Sequence, residues 1–96
     1  MNYALDYLQA RVADGKIGEM SEAELLSLVI SNEQVAEAII QDFGGFKGMA
    51  NQPLEKFLRY DGLGDAKIIR MAACFEMAKR VVDQVVSELK FQCQLL

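Results

Sequence analysis

The chain has 96 residues, 52% of them apolar and 25% charged, a composition that suits one small globular domain and does not accommodate a second. It contains no histidine, which excludes Ser-His and Cys-His nucleophile pairs, an imidazole base near neutral pH and any His-containing zinc site. The formal charge is −4, and the fourteen carboxylates are scattered over helix surfaces and cap positions, so no convergent catalytic group is expected and the chain reads as non-enzymatic.

In chain order the pattern is helical almost throughout, with glycines at the joints. A first helix from about Asn2 to Asp14 places Leu5, Leu8 and Val12 on one face and ends at Gly15-Lys16-Ile17-Gly18. Ser21-Glu22-Ala23-Glu24 is a capping box for a second helix carrying Leu25, Leu26, Leu28, Val29 and Ile30. Asn32 caps a third helix through Val35, Ala36, Ile39, Ile40 and Phe43, which stops at Gly44-Gly45. Phe46 to Asn51 reads as a connector, and Pro53 opens a fourth helix to Tyr60 with Leu54, Phe57 and Leu58 facing inward. The last helix, about Asp65 to Phe91, would be roughly 40 Å long if unbroken. Ile68, Met71, Phe75, Ala78, Val82, Val85 and Leu89 run along it as a heptad seam. A domain this small cannot cover all of that seam. The stretch from Val81 to Leu89 is expected to pack on the first helix, with a homodimer through Val82, Val85 and Leu89 as the alternative. The layout is therefore one all-α domain over 1–96: an N-terminal helix and loop (1–20), a first helix pair (21–43), a second pair (53–80), and a helix extension with tail (81–96).

Between the members of the second pair lies Gly62-Leu63-Gly64. A Gly-apolar-Gly turn before a helix N-terminus exposes backbone N–H groups beside a positive helix dipole, which is how a protein without base preference holds a phosphate. The charge distribution agrees. Residues 1–45 carry two basic groups (Arg11, Lys16) against eight acids, a balance of −6, whereas residues 46–96 carry eight against six, a balance of +2. The two cysteines, Cys74 and Cys93, lie among apolar helical residues without CxxC spacing and are expected to be reduced and mostly buried. There is neither a long apolar run nor a signal-like N-terminus, so a soluble, cytoplasmic protein is expected.

Leu58-Arg59-Tyr60-Asp61-Gly62-Leu63-Gly64-Asp65-Ala66-Lys67-Ile68-Ile69 resembles a helix-hairpin-helix motif. Leu63 would plug the hairpin into the core and Ala66 would let the helices pack closely. Further blocks, Met20 to Leu26, Ile40 to Met49, Leu54 to Leu58, Asp61 to Lys67 and Glu76 to Arg80, are similar in order and spacing to the N-terminal domain of the RadC family. That resemblance covers roughly residues 5–81. It implies a compact five-helix tandem helix-hairpin-helix domain with a long C-terminal helix, in a family customarily labelled DNA repair. Full members add a metalloprotease-like domain with a His-x-His motif, absent here, so the chain is expected to be an N-terminal piece or a short relative. The family's glycine-bearing first loop is replaced by Ser31-Asn32-Glu33-Gln34, which leaves phosphate contact to the second hairpin.

The resulting expectation is a DNA-binding domain that contacts the phosphate backbone without sequence specificity, through Gly62, Leu63, Gly64, Ala66, Lys67 and Arg70. The N–H groups of Gly62, Gly64 and Lys67 would take one phosphate, the Lys67 side chain its neighbour, and Arg70, one turn along, would be a supplementary contact. Related hairpins imply a monovalent cation held by the carbonyls of Leu58, Tyr60 and Leu63; no other cofactor is expected. Asp61 and Asp65 repel an incoming phosphate. The alternative is a protein-protein interaction or dimerisation module that uses the hairpin only as a helix connector.

Overall fold

The structure is a computed structural model that describes the backbone from Tyr3 to Leu95 and side chains from Asp6 to Lys90. It is all-α: α1 (Tyr3–Ala13), α2 (Glu22–Ile30), α3 (Glu33–Phe43), α4 (Phe46–Met49) and α5 (Asp65–Leu95), with 3-10 turns at Ile17–Glu19 and Leu54–Phe57 and no strand among the described residues. Asn2, Leu96 and the side chains of Leu5, Phe91 and Cys93 lie outside that description.

The first three helices form where local chemistry places them. Gly15 turns the chain out of α1, its N–H donating to the Val12 carbonyl and that of Lys16 to Arg11. Ser21 Oγ accepts the Glu24 N–H, and the Glu24 carboxylate accepts the Ser21 N–H at 2.9 Å, completing the capping box of α2. Glu24 also receives Arg11 at 2.7 Å, which ties α1 to α2 beside the buried Leu8. The Ser21 N–H above all, with Arg11 adding, holds the Glu24 carboxyl below its ordinary value of 4.5. Because the folded-state value is depressed, this contribution is present above pH 4.5 and is lost as the pH falls through the folded value. Glu24→Gln should therefore narrow the stability difference between neutral and acid pH, read from urea midpoints at each. A difference as large as in the unaltered protein would remove this group from the acid response.

Asn32 Oδ1 accepts the Val35 N–H at 3.0 Å and caps α3. Ile30, Ala36 and Ile39 are wholly buried between α2, α3 and α5, and with Leu26, Met49, Phe57 and Met71 they make the core. The Phe43 and Phe57 rings stack at 5.0 Å, and Phe46 meets Phe75 edge-on at 6.3 Å.

Two segments differ from the sequence-based expectation. Phe46–Met49 is a short helix rather than a connector, because Glu22 Oε1 accepts the Phe46 N–H at 2.8 Å and so caps it from 24 residues away. Pro53 to Tyr60 holds only a 3-10 turn, Leu54–Phe57, rather than an α-helix: Lys56, Leu58 and Tyr60 donate to the carbonyls three residues back. A segment of eight residues between turns gains little from α-helix propagation. Only Phe57 points inward, while Leu54 and Leu58 are exposed.

The last helix is unbroken to Leu95, and the molecule measures 56 × 35 × 22 Å. Its seam is covered only as far as Phe75. Val81, Val82, Val85, Val86 and Leu89 stand 42–59% exposed, so the expected packing of this stretch on α1 does not occur. α1 lies on α2 instead, held by the Arg11–Glu24 pair. Cys74 is exposed rather than buried: it lies beside the seam, lining an open groove with Leu25, Val29 and Phe46.

Candidate nucleic-acid interface

The segment entering the second hairpin is fixed by a side-chain network. Tyr60 Oη donates to Asp42 Oδ2 at 2.6 Å, Arg59 Nη2 donates to Tyr60 Oη at 3.1 Å, and the Arg59 guanidinium lies over the Phe43 and Tyr60 rings. Burial first, and then the hydrogen bond to Asp42, raises the Tyr60 phenol above its ordinary value, so it stays a donor. This network pins the hairpin to the end of α3. Nothing in the sequence signalled it, because Asp42 and Tyr60 are 18 residues apart and belong to different local patterns.

The hairpin itself is a β-turn from Tyr60 to Leu63, closed by the Leu63 N–H on the Tyr60 carbonyl at 3.2 Å. Gly62, its third residue, has φ +86° while Asp61 stays at negative φ, the type II pattern that favours glycine there. A side chain at Gly62 would also meet Asn32 Nδ2 at 3.0 Å, so the second hairpin rests against the cap of α3 and the two interhelical turns lie side by side. Leu63 is 6% exposed and plugs the turn into the core as expected. Ala66 does not mediate helix packing; it is exposed at the start of α5, facing away from the core.

Of the expected phosphate ligands, the structure brings Gly62, Gly64 and Lys67 together. Lys67 Nζ donates to the Gly62 carbonyl at 3.3 Å, which folds the ammonium back over the turn. The first N–H groups of α5 have no intrahelical carbonyl to bond, and glycine at position 64 offers no side-chain cap. A Cβ built at Gly64 meets nothing within 4 Å, so that side of the turn is open. The Lys67 N–H is directed at the Gly64 carbonyl at 3.1 Å, however, and faces into the helix. Arg70 is exposed one turn along. Among the candidate cation carbonyls, that of Tyr60 already accepts the Leu63 N–H. Asp61 and Asp65 are both exposed at the mouth of the turn, where their charges offset the attraction that the helix N-terminus and Lys67 offer an anion. Among the described residues no three His, Cys, Asp or Glu side chains gather to hold a metal ion, and no helix is long and apolar enough to cross a membrane. Chemically, the arrangement presents backbone donors, a dipole and a preplaced ammonium to an anion.

No family model matches the chain, and no solved structure matches it. Curated relatives do. A UPF0758 protein of Marinobacter nauticus is 33% identical over 72 residues, 68% of this chain and 32% of the relative. One from a Marinomonas species is 33% identical over 82 residues, covering 77% and 37%, and one from Shewanella baltica is 30% identical over 74 residues, covering 70% and 33%. The chain thus spans about a third of the length of the relatives it matches. Its homologues are UPF0758 proteins, which are members of the RadC family.

Proposed function

We propose that this chain is a RadC-like helix-hairpin-helix domain that binds the phosphate backbone of DNA without sequence specificity and without catalysis of its own, in a DNA-repair-related setting. The observation that carries the reading is the second hairpin: an open Gly64 at the head of α5, with the Lys67 ammonium held 3.3 Å from the Gly62 carbonyl above it. Backbone donors at a helix N-terminus bind phosphate regardless of base, so affinity should be modest and strongly salt-dependent. With about two or three phosphates neutralised, the log–log salt slope should lie near −2 to −3.

Gly64→Ala separates this role from a structural one. The added methyl points into open space at ordinary φ, so the urea midpoint should hold to within about 1 kcal/mol of stability. The same methyl stands where a phosphodiester would approach, and affinity for duplex DNA in low salt should fall about 10-fold. Unchanged anisotropy titrations with this variant would remove the hairpin from the contact. The competing reading, an interaction module with no nucleic-acid ligand, is supported by the uncovered α5 seam, and Gly64→Ala leaves that seam untouched.

A further inference from the structure

We propose that the uncovered part of α5 is the contact between two copies of this chain, paired antiparallel about a two-fold axis that crosses the helix between Asp83 and Gln84. The seam is continuous with the core: Ile68 and Met71 are buried, Phe75 is half-buried, and Ala78, Val82, Val85 and Leu89 follow at the same spacing in the open. Val81 and Val86 widen it on either side. A single helix that keeps an apolar stripe beyond its own domain gains nothing from it unless something covers it.

The position of the globular body decides the orientation. The body covers the N-terminal end of the seam, on the same side that a partner helix would occupy. A parallel partner would bring its own body into that same space. An antiparallel partner places its body beyond the far end, and each overhang then runs toward the other's body. Beside Phe75 that body offers two grooves. One, of about 430 Å³, is lined by Gln52, Phe75, Lys79, Val82 and Asp83; the other, of about 230 Å³, by Leu25, Val29, Phe46, Cys74 and Ala78. The overhang from Ala78 to Leu89 is only about 17 Å long. By itself it is too small for the roughly 1,000 Å² that a specific interface buries, so contact with the grooves is needed as well, and the antiparallel arrangement provides it.

Layering fits the same register. Seam positions of antiparallel helices alternate, which sets Val82 on the partner's Val85 and the small Ala78 against the partner's large Leu89.

The test is sedimentation equilibrium of the intact chain from low micromolar to millimolar concentration, where the mass should rise from monomer to dimer. Val82→Asp with Val85→Asp should remain monomeric throughout, with helicity and melting kept because both side chains are exposed. In a background with Cys74→Ser and Cys93→Ser, Ala78→Cys protein mixed with Leu89→Cys protein should cross-link, whereas either alone should not. A monomer at every concentration, a dimer indifferent to the aspartates, or cross-linking of each variant with itself would each overturn the proposal. DNA affinity of the monomeric variant is read separately, so failure here and failure of the hairpin reading are distinguishable.

Discussion

Gly48→Ala is expected to destabilise the protein by about 3–5 kcal/mol, enough to leave much of it unfolded at ambient temperature. The sign is the reverse of the usual one, since replacing glycine by alanine in a helix ordinarily gains about 1 kcal/mol. At this position a Cβ would overlap the carbonyl oxygen of Phe43. The obstacle is backbone, which cannot rotate aside as a side-chain tip could. Relief requires the α3–α4 junction to open. Met49, which is 2% exposed, would leave the core, and the Phe43–Phe57 stack at 5.0 Å would be disturbed. Losing a buried methionine's packing alone costs about 2–5 kcal/mol. Gly18→Ala is the matching control: its Cβ would meet nothing within 4 Å and its φ is ordinary, so its urea midpoint should barely move. A Gly48→Ala protein as stable as that control would mean that the junction yields at little cost.

The same junction shows what could be read from sequence. Ser21 with Glu24, Asn32, and Gly44 at the end of α3 announced their helix boundaries because capping is decided within four residues of chain. The role of Gly48 and the cap that Glu22 supplies to α4 were invisible. Each depends on how α3 turns back on α2, and the Glu22–Phe46 contact spans 24 residues. Apolar spacing from Pro53 to Tyr60 suggested an α-helix with three inward residues, yet Leu54 and Leu58 face solvent, because a stretch this short follows its hydrogen-bonded turns and not its pattern. Leu63 was legible as a plug, since an apolar residue between two turn glycines has few alternatives. The Asn32 amide beside Gly62 was not, although it is what sets the two turns side by side. Burial along α5 follows the spacing up to Phe75, while the expected packing of Val81 to Leu89 on α1 is not met, because periodicity specifies a face and not what covers it.

Reversing Lys67 and Arg70 together to glutamate is expected to cost at least about 100-fold in duplex affinity at low salt, whereas Asp61→Asn with Asp65→Asn should raise it by about 10-fold. The Lys67 ammonium is already placed at the turn, 3.3 Å from the Gly62 carbonyl, so it meets a phosphate with little ordering cost. A unit charge near 5 Å in a largely aqueous surface setting contributes about 1 kcal/mol, and a reversal changes the sign as well as removing the attraction. Two reversals therefore amount to about 3 kcal/mol. Two neutralised carboxylates amount to about half of that in the opposite direction. Neither pair should unfold the protein, since all four side chains lie at the surface or half-buried at the head of α5. Glutamate near a helix N-terminus is favoured by the dipole, and Asp65→Asn forfeits only about 0.3–1 kcal/mol of that stabilisation. The carboxylates thus stabilise the helix start while opposing an anion at the same place. That opposition makes the pair of experiments decisive: a hairpin that holds phosphate must respond to both variants in opposite directions, with the salt slope shrinking for the first and keeping its value for the second. If affinity instead ignores Asp61 and Asp65 while falling with Lys67 and Arg70, the anion lies along the side of α5 and not at its N-terminus.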